Sequence, residues 1–149
     1  MSQIITPDLV DLDLPGTDRV AATRALAERL VAAGRVTDLD GFLADVAARE
    51  AQMPTGLEGG IGIPHARSAH VSEPSLAFGR CAAGVDFGAE DGPAHLVFLI
   101  AAPDGEGAEH MKILASLARR LIHASFKDGL NQAADPAAAA TFITQEIAA

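Results

Sequence analysis

The sequence predicts an α/β sandwich built as a single domain, and three observations predict it. Helix-period stretches alternate with short β-like apolar runs along the chain. One of those runs, His95-Leu-Val-Phe-Leu-Ile-Ala-Ala102, is apolar without interruption, as a central strand covered on both faces would be. With 149 residues, 49% of them hydrophobic, the chain can bury one sizeable core but is too short for two ordinary domains.

The elements follow in order. Asp18 to Ala33 reads as a helix with Ala22, Leu26, Leu30 and Ala33 on one face, a Thr17/Asp18 cap, and Gly34 as its stop. Asp38 caps a second helix over Leu39 to Glu50, which turns Leu39, Leu43, Val46 and Ala47 inward and leaves Arg49 and Glu50 at its carboxyl end. Ser75 to Ala83 and His95 to Ala102 are strands. Beyond the loop Asp104 to Gly107, a long helix is expected over Glu109 to Ala124, with Leu114, Leu117, Ala118 and Leu121 as its apolar stripe and His110 in its first turn. Asp135 as cap and Pro136 at the first position begin a last helix that buries Phe142, Ile143 and Ile147. The pattern leaves parallel and mixed strand orders open.

Composition removes several function classes. A net charge of −9, with six Phe and neither Trp nor Tyr, offers nucleic acid neither a basic surface nor a stacking platform. Cys81 is the only cysteine, so an intramolecular disulfide and a multi-cysteine metal site are out, and its place in the Ser75–Ala83 pattern makes it a core residue. No signal-peptide pattern and no bilayer-length apolar stretch is present, so the reading is a cytoplasmic protein without direct membrane insertion. Pro64 and the neighbouring glycines deny His65 and His70 a common helix face, and neither a metal nor a cofactor is expected. His70 falls on a loop, His95 at a strand start, and His123 on the last turn of the long helix. There is no Gly-x-Ser-x-Gly elbow, no P-loop and no dinucleotide fingerprint.

What remains is the segment Gly59-Gly-Ile-Gly-Ile-Pro-His65-Ala-Arg67. Glycines strip bulk away before the histidine and permit close approach of a partner or anion, while Pro64 pushes Ile63 toward extended backbone. A neutral imidazole presented in this way is a competent nucleophile near pH 7. Arg49 could grip a phosphoryl group with its planar guanidinium, and His110 with the first-turn amides of its helix could add donors. Each residue also has a plain reading: His65 as an incidental surface histidine, Arg49 paired with a helix end, His110 as a half-buried polar residue.

Taken together, these residues resemble the fructose/mannitol-type enzyme IIA domain of the bacterial phosphoenolpyruvate-dependent sugar phosphotransferase system. The likeness covers nearly the whole chain. It is carried by Arg49-Glu50, Pro54-Thr55-Gly56, the Gly60-to-Arg67 segment, Val85 to Gly92, Leu96 to Pro103, and His110 with Leu114, Leu117, Ala118 and Leu121. The resemblance implies one α/β domain over residues 1–149 with a central mixed sheet flanked by helices. It further implies that His65 takes phosphate from the phosphohistidine of HPr and passes it to a cysteine of the enzyme IIB domain, with Arg49 and His110 assisting. Gly62 stands where alanine is usual, and no functional consequence is expected. Arg67 has two readings, a contact to phosphate or HPr, or a solvated side chain. The fructose branch is the nearest, and there the domain often begins a longer IIA-IIB-IIC permease, which would tether it to the membrane. A regulatory protein of the nitrogen-type branch is the alternative, and a non-catalytic binding module with structural histidines is a second. The sugar is not identified by this sequence.

Overall fold

The structure, a computed structural model, describes residues 4–14, 18–57, 59–104, 112, 115–117, 119–121 and 123–148. A short 3-10 turn, Pro7–Leu9, leads into β1 (Val10–Asp11). Helices α1 (Arg19–Ala32) and α2 (Leu39–Gln52) follow, and then three short strands, β2 (Gly56–Leu57), β3 (Ile61–Gly62) and β4 (His65–Ser68). The long strands β5 (Ser75–Val85) and β6 (Ala94–Pro103) come next, and α3 (Ala124–Gln132) and α4 (Pro136–Ala148) complete the fold. Between β6 and α3, Lys112, residues 115–117 and residues 119–121 are helical.

The sheet is mixed. Its order is β1-β5-β6-β3-β2, with β4 also paired to β6. The β5/β6 pair is antiparallel, aligning Phe78 with Phe98, whereas β1 runs parallel to β5 and both β3 and β4 run parallel to β6. Strand β6 is therefore central, and its unbroken apolar run is buried from Leu96 to Ala102, as the sequence predicts for a strand covered on both faces. Neighbouring residues on β5 show the two layers. Gly79 faces Leu14 and Leu26 of the α1 side. Phe78 points the other way and starts a row of rings, Phe78, Phe98, Phe126 and Phe142, with successive centroids 5.1, 6.4 and 5.6 Å apart, that leads into α3 and α4.

Local signals explain the helix limits. The Asp18 carboxylate accepts from Ala21 N–H at 2.7 Å, and Gly34 with φ +78° ends the turn after α1. Asp38 caps α2 and Asp135 caps α4 in the same way. Some expectations need correction. Ala33 is exposed, and α1 instead buries Thr23 and Ala27 beside Ala22, Leu26 and Leu30. On α2 the buried positions are Phe42 and Val46, with Leu39 and Leu43 only packed against the core and Ala47 exposed. The bulkiest apolar residue of that helix takes the interior, which turns the stripe by about one position.

His123 does not lie in the last turn of a long helix. It precedes α3, a helix absent from the sequence expectation, and its N–H donates to Arg120 O at 3.0 Å. The reason for α3 is tertiary. Phe126 and Leu130, one turn apart, are buried, and Arg80 reaches across from β5 so that one guanidinium nitrogen donates to the carbonyls of Leu130, Asn131 and Ala133 at 3.0, 3.1 and 2.9 Å. Of the expected 109–124 stripe, Leu117 and Leu121 are buried, while Leu114, Ala118 and His110 lie outside the described residues. In α4, Ile143 is fully buried and Phe142 partly so.

Candidate active site

His65 opens β4, directly after Ile63-Pro64, and only 9% of it is exposed. It lines a depression of about 300 Å³ with Ala66 and Arg67 of its own strand and Asp45, Ala48, Arg49 and Gln52 of α2. The four helix residues are spaced i, i+3, i+4, i+7, one face of α2, and α2 packs against β4. His65 and Arg67, two apart on a strand, point to one side. Two arginines thus line the depression from two elements, and the charge of Arg49 is felt at the ring. Among the described residues, neither Arg49 nor Arg67 forms a salt bridge, and Arg49 stands in the last turn of α2, where its charge also suits the helix end. Asp45, which sequence reasoning did not single out, also borders the depression, its carboxylate accepting from the Ser68 hydroxyl at 2.6 Å.

The ring is oriented by the main chain. His65 Nδ1 lies 2.8 Å from Ile63 O, and since a carbonyl can only accept, Nδ1 bears the proton and the lone pair of the neutral ring is on Nε2. The main chain of Ile63 is held on its N-terminal side as well, its N–H donating to Thr55 O at 3.2 Å. Thr55 in turn gives its N–H and hydroxyl to the two carboxylate oxygens of Glu50, at 2.8 and 2.6 Å. Burial holds the His65 pKa below its ordinary 6.5; the Ile63 bond opposes this, the Arg49 charge adds to it, and the Glu50 charge opposes it. The result is a largely neutral imidazole at neutral pH beside fixed positive charge, which is what a nucleophile accepting a doubly negative group requires.

The glycines have separate duties. Gly59 and Gly60, with φ +92° and +79°, make the turn between β2 and β3. Gly62 faces the ring of Phe87 so closely that a Cβ there would lie 2.6 Å from it. That close approach is to the protein's own core rather than to an anion or partner, and it gives the departure from alanine a structural reason. His110, the third residue expected at the site, lies outside the described residues. The remaining histidines are placed elsewhere: His70 in a turn with Nδ1 3.9 Å from Asp38, and His95 on β6 with Nδ1 3.0 Å from Cys81 O. Cys81 is buried on β5, as expected. Among the described residues, no group of three or more His, Cys, Asp or Glu is placed to hold a metal ion. Nor is any described helix long and apolar enough to cross a membrane.

Comparison with known proteins gives this geometry a family. Residues 3–146 match the family described as phosphoenolpyruvate-dependent sugar phosphotransferase system, EIIA 2. The fructose-specific EIIA component of Haloferax volcanii is 42% identical over 131 residues, covering 87% of this chain and 85% of that protein. The fructose-specific EIIABC component of Bacillus subtilis is 33% identical over 97% of this chain, which spans only 23% of that longer protein. Among solved structures, the nitrogen regulatory protein IIA-Ntr of Neisseria meningitidis superposes with a TM-score of 0.85 at 26% identity, over 94% of this chain and 96% of that one. The chain belongs to the EIIA type 2 family of the phosphoenolpyruvate-dependent sugar phosphotransferase system, whose members are phosphotransferase components.

Proposed function

We propose that this chain carries a phosphoryl group on His65, taken from phospho-HPr and passed to a cysteine of an enzyme IIB domain, in the uptake and phosphorylation of fructose or a related sugar. The observation that carries the reading is the His65 ring, its Nδ1–H tied to Ile63 O so that the lone pair lies on Nε2, in a depression that Arg49 and Arg67 also line. Nε2 attacks phosphorus as the P–N bond to the HPr histidine breaks and its electron pair returns to that ring. In the second step a IIB thiolate attacks, and the electron pair of the new P–N bond returns to His65. Arg49 stabilises the charge on the three phosphoryl oxygens with its planar fork, and His110 assists, as the family resemblance implies. The fructose assignment is supported by the Haloferax and Bacillus relatives. The protein works in the cytoplasm, either free or as the first domain of a chain that continues into IIB and a membrane IIC domain.

A second reading has an observation in its favour. The fit to the Neisseria nitrogen regulatory protein supports a phosphorylation-dependent binding role with the same histidine chemistry. Incubation with phosphoenolpyruvate, enzyme I and HPr, followed by intact-mass measurement, tests the shared step. A single acid-labile phosphoryl adduct, absent from His65→Ala, is expected. Uptake by His65→Ala at the parent rate, or labelling that maps to His110, refutes it. Onward transfer to a supplied fructose-type IIB domain separates the sugar reading from the regulatory one.

A further inference from the structure

The geometry points to Glu50 as a positioning residue that sets which nitrogen of the His65 ring carries the proton, acting through Thr55 and Ile63. This rests on the reading of His65 as the phosphoryl carrier but is decided by a different measurement. The path is one of consecutive hydrogen bonds. The two Glu50 oxygens take the Thr55 N–H at 2.8 Å and the Thr55 hydroxyl at 2.6 Å. Thr55 O takes the Ile63 N–H at 3.2 Å, and Ile63 O takes the His65 Nδ1–H at 2.8 Å. A carboxylate is the group this arrangement calls for, since it offers two acceptor oxygens at once, whereas the amide of glutamine offers one acceptor and one donor group.

The surroundings make the clasp stiff. The Glu50 side chain is only 10% exposed, and Thr55 as a whole 9%. Three residues separate the end of α2 at Gln52 from the start of β2 at Gly56, so holding Thr55 fixes the whole connection. Gly56 N–H donates to Phe87 O at 2.9 Å on the far side of it. The ion pair to Arg19 at 3.7 Å, with Arg19 37% exposed, is a minor partner beside the two short bonds to Thr55. Glu50 therefore acts at the ring by holding Thr55, whose carbonyl fixes the Ile63 N–H and so restrains the residue that presents its other main-chain group, the carbonyl, to the ring. The orientation of a ring nitrogen by the bond its fellow nitrogen makes is the same device that fixes histidine tautomers at metal and catalytic centres.

The test reads the tautomer directly, by ¹⁵N imidazole spectra of the unphosphorylated protein at a pH where the ring is neutral, with the His65 signals identified by their loss in His65→Ala. The parent is expected to show the Nδ1–H form. Glu50→Gln is expected to move a measurable share of the ring to the Nε2–H form and to slow phosphoryl uptake from phospho-HPr by roughly 10- to 100-fold, the range set by loss of a bond to a charged group. Thr55→Val retains the backbone bond and the side-chain shape, gives a smaller change in the same direction, and decides the matter if Glu50→Gln does not fold. An unchanged tautomer in a folded Glu50→Gln or Thr55→Val protein overturns the proposal whatever happens to the rate. A parent protein that shows the Nδ1–H form but takes no phosphate on His65 overturns the carrier reading instead.

Discussion

Replacement of Gly62 by alanine sets backbone entropy against packing. Gly62 is not among the positive-φ glycines, so its backbone suits any residue, and on chain entropy alone Gly62→Ala would stabilise the protein by about 0.4–1 kcal/mol. Packing opposes this. The new methyl would lie 2.6, 2.8 and 3.1 Å from Cδ2, Cγ and Cε2 of Phe87, where carbon atoms in contact ordinarily sit about 3.5–4.0 Å apart. The ring must retreat by nearly an ångström, yet Phe87 is 1% exposed and its own carbonyl is held by Gly56 N–H. Overpacking of this kind costs roughly 1–3 kcal/mol, more than the entropy gain. For a chain of 149 residues the melting temperature should fall by about 2–8 °C. Calorimetry of Gly62→Ala, Phe87→Leu and the double variant is the assay. The double variant should be less destabilised than the sum of the two single ones, because the smaller side chain vacates the space the methyl needs. A Gly62→Ala protein that melts at or above the parent temperature, with additive behaviour in the double variant, would refute the packing argument.

Arg49→Ala and His110→Ala should each slow phosphoryl transfer on the order of 10² to 10³, with Arg49→Lys also impaired because an ammonium lacks the planar fork; parent rates in both alanine variants, measured by single-turnover transfer from phospho-HPr, would leave His65 acting alone. Because burial first, and Arg49 second, hold the His65 pKa below 6.5 against the Ile63 bond and Glu50, with Asp45 and Arg67 also lining the depression, phosphoryl acceptance should persist somewhat below pH 6.5 before protonation removes the nucleophile. The same linkage acts on stability: the unfolded chain takes up the proton first, so the contribution is intact above pH 6.5 and is lost as pH falls through the folded value, and urea titrations of the parent against His65→Ala should show the acid slope reduced in the variant. Cys81→Ala should accept phosphate and deliver it to a IIB domain at near-parent rates while losing about 1 kcal/mol of stability; a phosphocysteine adduct at Cys81 in mass mapping would overturn that separation.

The parts legible in the sequence are those set by local chemistry. Asp18, Asp38 and Asp135 announce helix starts because a carboxylate beside free N–H groups acts over three residues, and the apolar run of β6 announces burial on both faces. The place of His65 directly after Pro64 is local in the same sense, whereas the duty of Gly62 is not, since it answers to the Phe87 ring from a distant part of the chain. Helix α3 was hidden for the opposite reason. Gly129, Asp128 and Asn131 give it poor helix propensity, and it forms because Phe126 and Leu130 meet the core, Gly129 admits the Phe142 ring, and Arg80 caps its end from fifty residues away. The link from Glu50 through Thr55 to Ile63 was hidden likewise, since it joins a helix end, a loop and a strand that only the fold brings together. The turned stripe of α2 was decided by competition for the interior between Phe42 and its smaller neighbours.

The pairing of β3 and β4 with β6 acts as a ruler for the histidine. Ile61 aligns with Leu96 and His65 with Ile100, the same offset, so the two short strands are one strand interrupted at Ile63-Pro64 without change of register. Strand geometry then makes the count from Ile61 to His65 an all-or-none quantity. One residue gained or lost there turns the imidazole to the opposite face of the sheet. Two residues restore the face but displace the ring by roughly 7 Å along β6, away from the α2 residues beside which it now sits. Spacing within this stretch is thus as restrictive as residue identity, and length variation compatible with the chemistry belongs elsewhere in the chain.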